Sequence, residues 1–182
     1  MARQGVVGRT HTLRTYIPMA FLDANIIAST DLFTSPEAAV YQFGVLTSAM
    51  HMAWVRVVCG RMKSDYRYSA RLVYNNYPWP ADASEKDTAA VEKAAQGVLD
   101  ARAEFPTSTL ADLYDPLTMP HSLTKAHAAL DRAVDRCYRR EPFPSERARV
   151  EHLFSLYERL AAPIVAAATA KPKRGRAAKP IQ

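Results

Sequence analysis

Five residues within one short segment could do chemistry on a charged or base-bearing partner: Arg61, Lys63, Asp65, Arg67 and Arg71. In extended chain, alternate residues share a face, so odd positions put four cations and one carboxylate on one surface. Lys or Arg can donate to guanine O6 and N7, and Asp can accept from cytosine N4. A Lys63-x-Asp65 pair could therefore read both bases of one G·C pair. On charge pattern alone, a solvated strand face with a Lys63–Asp65 ion pair, worth little, is the plainer reading. Tyr66 and Tyr68 fall on the opposite face, where aromatics on an alternating strand usually pack into a core.

Other chemistries find little support. The six glycines form no phosphate or dinucleotide loop. There is no His-Glu-x-x-His, no serine elbow and no paired Cys-x-x-Cys, so no catalytic residue is assigned. Asn75-Asn-Tyr-Pro78 has the wrong order for the Asn-Pro-Pro-Tyr motif of amino-methylating enzymes. Cys59 and Cys137 lack metal-ligand neighbours and read as free thiols in a reducing cytoplasm. No metal site is expected: His51 reads as a hydrogen-bonded core histidine, and His121, His127 and His152 lack partners at metal spacing. No apolar run is long enough to span a bilayer, so no membrane partner is expected.

The net charge of +6 is unevenly spread. Residues 1–80 carry +4 and 11 of the 17 aromatics, residues 81–170 carry −3, and residues 171–182 carry +5. Basic and aromatic together is the composition of a nucleic-acid surface.

The elements that must position these residues read as an α+β chain. It is a small β segment with one long buried helix, followed by a mainly α-helical C-terminal domain. The first fifteen residues read as a frayed lead-in or the cut end of a longer protein. Tyr16–Leu22 and Asn25–Thr30 read as a hairpin turning at Asp23-Ala24. Ser35-Pro36-Glu37 reads as a helix start, followed by apolar residues nearly all round a helix that stops at Gly60. Leu72–Tyr74 reads as a short strand, closed by Pro78 and Pro80. From residue 81 the pattern turns helical. Ser84 caps a helix through Ala103, a short turn spans Leu110–Tyr114, and Leu123, Ala126, Leu130, Val134 and Cys137 mark a third helix. Ser145 caps a fourth, with Val150, Leu153, Phe154, Tyr157 and Leu160 inward. The expected division is 1–80, 81–168 and a disordered basic tail at 169–182. The helical half looks able to cohere alone, whereas the β half has too few strands to do so.

Several runs carry a family resemblance. Tyr16-Ile-Pro-Met-Ala-Phe-Leu-Asp23, Phe43-Gly-Val-Leu-Thr-Ser48, His51-Met-Ala-Trp54, Gly60-Arg-Met-Lys-Ser-Asp-Tyr-Arg-Tyr-Ser69 and Val73-Tyr-Asn-Asn-Tyr-Pro-Trp-Pro80 resemble the last part of the target-recognition domain of MmeI-like DNA methyltransferases. These are large single-chain restriction–modification proteins. Leu99-Asp-Ala-Arg102, Leu110-Ala-Asp-Leu-Tyr-Asp-Pro-Leu-Thr-Met-Pro120, Ala126-His127, Leu130-Asp131 and Leu156-Tyr157 resemble the family's C-terminal helical domain. One departure is Ala20, where the family usually has Gly.

The resemblance implies that residues 14–80 help read double-stranded DNA. It implies Lys63 with Asp65 as one base-reading pair and Arg67 with Asp31 as a second; Arg61 and Arg71 would then contact phosphate. This reverses the charge-only reading. The family's S-adenosylmethionine site and its Asn-Pro-Pro-aromatic motif lie upstream of the matching part. Adenine-N6 methylation and its cofactor are therefore expected of a complete enzyme, with no cofactor in this chain. Two other readings stay open on the sequence: a helical module docking on a separate methyltransferase subunit, and a non-functional remnant of a longer gene.

Overall fold

The computed structural model describes residues 3–7, 14–23, 25–28, 32–35 and 38–169, without the side chains of 3–7 and 164–169. The expected α+β class holds, with five short strands in two small sheets. In the first, β1 (Arg3–Val7) lies between β2 (Met19–Asp23) and β3 (Phe33–Ser35), antiparallel to both. Two expectations fail here. Part of the frayed lead-in is the central strand, and β2 pairs with β1 rather than with a strand following Asp23. Asn25–Ala28 is turn and irregular chain, with Ile27 97% exposed. Nothing in Arg3-Gln-Gly-Val-Val alternates, so pairing rather than pattern makes β1 a strand.

The long buried helix is also two helices, α1 (Val40–Leu46) and α2 (Ala49–Val58). Thr47 and Ser48, both buried, turn their hydroxyls back onto the carbonyls of Phe43 and Val45. Ser48 then caps α2 by accepting from the His51 amide at 3.4 Å. Local hydroxyl–backbone bonds of this kind compete with a continuing helix. Ser35 ends β3 instead of capping a helix, and α1 starts later, after Ala39. The chain leaves α2 at Cys59 and enters β4 (Gly60–Met62) and β5 (Asp65–Arg67).

Leu72–Tyr74 is not a strand. It belongs to a π-helical turn, Ala70–Tyr74. Its carbonyls are satisfied away from any sheet: Asn76 Nδ2 donates to Arg71 and Leu72, and Trp54 Nε1 donates to Val73.

The later helices follow their caps. Ser84 starts α3 (Glu85–Ala103), Thr109 and Asp112 form a capping box on α4 (Leu110–Leu113), and α5 spans His121–Tyr138. Ser145 Oγ accepts from the Ala148 amide at the start of α6 (Glu146–Thr169). Val91, Ala95, Val98, Leu123, Leu130, Val134 and Leu153 are buried as their spacing requires, but Leu160 is 61% exposed.

The helices of the two halves share one apolar cluster. At Gly44 of α1, a Cβ would meet Val91 at 2.9 Å, Ala95 at 3.0 Å and Leu130 at 3.3 Å. Trp54 of α2 packs on Phe154 and Tyr157 of α6. The helical core thus includes α1 and α2, which the expectation of a self-sufficient helical half left out.

Candidate nucleic-acid interface

The hairpin β4–β5 pairs Gly60 with Arg67, Arg61 with Tyr66 and Met62 with Asp65. Lys63 and Ser64 make the two-residue turn. Directly paired residues share a face. Asp65 and Arg67 therefore stand on one face of the hairpin, while Arg61 stands with Tyr66 on the other. The single face expected for all five residues does not form, because the chain reverses at Lys63. Arg61 lies over the Tyr66 ring at 4.7 Å, and its Nη2 donates to the Tyr66 hydroxyl at 3.4 Å. Tyr66 itself is buried, as expected.

Arg61, Lys63, Arg67 and Arg71 are all exposed, and Asp65 is half-buried. None of the four cations enters an ion pair among the described residues. Lys63 has φ 55°, in the left-handed region. Two-residue hairpins require positive φ at the first turn position, where Gly or Asn normally sits. A side chain there costs roughly 1–2 kcal/mol. Arg71 lies on the π-helical turn, beyond the hairpin. Asp31 lies outside the described residues.

Beneath the hairpin, Tyr68 and His51 share a hydrogen bond of 2.9 Å whose direction follows the imidazole tautomer. His51 is fully buried in α2, and burial pushes its pKa down to about 3. It is thus the core histidine expected; its partner was not foreseen, since seventeen residues of chain separate the two.

A second polar cluster joins the halves, and sequence reasoning missed it. Asp131 of α5 accepts from the Tyr16 hydroxyl and from the Ala49 amide, each at 2.7 Å. The Ala49 amide is the first of α2, so the carboxylate sits at that helix's N-terminus. Burial raises the Asp131 pKa to about 6, and burial and the neighbouring carboxylate push Tyr16 up as well. The Tyr16 ring stacks on His127 at 4.0 Å. His127 Nε2 lies 2.7 Å from the Tyr114 hydroxyl. Arg102 donates to that same hydroxyl from Nε at 2.9 Å and from Nη2, and to the Met19 carbonyl from Nη1 at 2.6 Å. With its oxygen accepting from Arg102, Tyr114 gives its hydrogen to His127, which fixes the imidazole proton on Nδ1. Burial, then Arg102, lowers the His127 pKa to about 3. The family motifs contain Tyr16, Arg102, Tyr114, His127 and Asp131, but nothing in their spacing shows that these residues meet.

No group of three or more His, Cys, Asp or Glu able to hold a metal occurs among the described residues. Nor is any described helix long and apolar enough to cross a membrane.

Two family models match the chain: "MmeI, target recognition domain" over residues 6–81 and "MmeI, C-terminal domain" over residues 83–165. The chain belongs to the MmeI family. It resembles DNA methyltransferase A of Bacillus subtilis (strain 168), with 44% identity over 147 residues. The match takes in 81% of this chain and 16% of that protein. It is also similar to a solved structure of the type IIL restriction–modification enzyme MmeI in complex with DNA. There the identity is 42% and the TM-score 0.84, over 89% of this chain and 22% of that one. The chain thus spans less than a quarter of the length of either relative. The hairpin Gly60–Arg67 and Tyr68 fall inside the match to the target-recognition domain. Asp131, His127, Tyr114 and Arg102 fall inside the match to the C-terminal domain.

Proposed function

We propose that this chain is the DNA-reading portion of an MmeI-family restriction–modification methyltransferase. The observation that carries the reading is the hairpin: within a target-recognition domain, exposed cations and a carboxylate crowd around a turn held in a strained conformation. Strain kept at a non-glycine residue clusters at functional sites. Lys63 and Asp65 read one base pair; Arg67 and Asp31 read a second. Arg71 and Arg61 contact phosphate, Arg61 from the opposite face of the hairpin to Arg67. Double-stranded DNA is the partner. Methyl transfer from S-adenosylmethionine to adenine N6 is assigned to the complete enzyme, whose catalytic part is supplied by further sequence or by a separate subunit.

A titration on duplex DNA at two salt concentrations tests the reading. Phosphate contact makes affinity fall steeply as salt rises. The double substitution Lys63→Glu, Asp65→Arg should change which base pair is preferred. An equal loss of affinity on every sequence would remove Lys63 and Asp65 from base reading.

A further inference from the structure

We propose that Tyr68 and His51 are a positioning pair that aims the base-reading hairpin; the inference rests on the reading of the hairpin given above. A two-stranded ribbon is marginal on its own. Here each strand has three residues, and all of β4 is exposed. The hairpin needs an anchor outside its own ladder.

Two residues supply one. Tyr66 enters the core from the middle of β5. Tyr68, the first residue but one after it, is held at both ends of its side chain. Its hydroxyl bonds to His51, and its ring packs on Phe33 at 5.4 Å. His51 is packed in turn: it lies buried in α2, with its ring edge-on to Tyr77 at 4.6 Å. Tyr77 contacts Trp54, which packs on α6. Phe33 opens β3, two residues after Asp31, and also packs on Tyr74 at 5.0 Å.

Tyr68 therefore follows directly on the hairpin that carries Lys63, Asp65 and Arg67, and packs on Phe33, which comes two residues after Asp31 in sequence. Bidentate base contacts tolerate displacements of only about 0.5 Å, so the groups behind them decide whether they form. Being buried and neutral, His51 keeps this bond throughout the physiological pH range.

The test uses the full chain and a duplex selected by the wild type from a random pool. Binding is compared with duplexes changed at single base pairs. Tyr68→Phe keeps the ring and deletes one hydrogen bond. It should lower base discrimination about tenfold, the loss expected for one hydrogen bond, and leave affinity for unrelated duplex unchanged. Hydrogen exchange of the amides in 60–67 should quicken. His51→Leu should do the same, and the double variant should be no worse than the poorer single one. His51→Gln, which keeps an atom able to bond the Tyr68 hydroxyl, should retain discrimination within about threefold of wild type.

Equal losses on every duplex, additive losses in the double variant, or full discrimination with unchanged exchange would each overturn the pairing. A wild-type chain that shows no base preference would instead refute the reading of the hairpin. In that case the exchange measurement alone judges the anchor, and unchanged exchange in Tyr68→Phe rejects it.

Discussion

Cations serve opposite purposes in the hairpin and at the seam between the halves. Lys63, Arg67 and Arg71 are exposed and enter no ion pair among the described residues. Arg102 and Arg149 are half-buried and bonded: Arg102 donates to Tyr114 and, across the seam, to Met19, and Arg149 grips Asp135 within the helical half with two bonds of 2.9 and 2.6 Å. Composition counts the two sets alike. Their surroundings separate them, because a buried charge persists only when its donors are occupied, whereas a solvated charge is available to a partner. The helical half is net acidic, yet its Arg102 reaches across to bond the Met19 carbonyl of the basic half.

The largest effect that should divide the regions is acid sensitivity. His51 and His127 titrate near 3 when folded and near 6.5 when unfolded, so below pH 6.5 the unfolded chain binds more protons. Each histidine then lowers stability by about 1.4 kcal/mol per pH unit as the pH falls. Asp131 acts oppositely. Its folded pKa near 6 exceeds its ordinary value, so between about pH 6 and 4 protonation favours the folded state. Two losses against one gain leave a net loss on acidification. In urea melts from pH 7 to 4.5, His51→Gln with His127→Gln should flatten this dependence. An unchanged slope would mean the seam and the hairpin anchor are wetter than their burial implies.

Next comes Arg102→Ala, which leaves the Tyr114 hydroxyl and the Met19 carbonyl without their donor. A loss of about 2–4 kcal/mol in urea unfolding is expected, against roughly 0.5 kcal/mol or less for Arg67→Ala. Equal effects would erase the contrast between the two sets of cations.

Packing at the seam gives a smaller, signed comparison. Gly44→Ala gains helix propensity but places a methyl 3.0 Å from the fixed Cβ of Ala95. Overpacking should win, with a net loss of about 1–2 kcal/mol. Gly97→Ala, on an open face of α3, meets nothing within 4 Å and should stabilise by up to about 1 kcal/mol. Thermal melts of the two variants should move in opposite directions.

These contrasts also mark what could be read from the sequence. Ser84, Thr109 and Ser145 announce their helices because a cap is a local event, and the apolar spacing of α3 and α5 fixed which faces went inward. The β half resisted for the converse reason. β1 exists by pairing with distant strands, and Leu72–Tyr74 looks like a strand until Asn76 and Trp54 take its carbonyls. At the site, alternation correctly grouped Asp65 with Arg67 and buried Tyr66. It misplaced Arg61, because extended-chain reasoning does not see the reversal at Lys63. His51 was legible as buried, but its bond to Tyr68 depends on how the hairpin folds back over α2.

The smallest effect bears most directly on function. Lys63→Gly relieves the positive φ and should stabilise the chain by up to about 1 kcal/mol, since glycine meets no steric penalty there and its extra unfolded-state freedom offsets part of the gain. The same change removes a proposed reader. A more stable protein with weaker base discrimination would show that the turn keeps an unfavourable residue for what its side chain does. Lys63→Asn, which also tolerates the left-handed region and retains a short polar group, separates conformation from charge. If Lys63→Gly destabilises the chain, the lysine stem contributes packing that outweighs its backbone strain. If discrimination survives in both variants, the strain at this turn has another origin, and the contrast between an exposed reading edge and a bonded seam must rest on Asp65 and Arg67 alone.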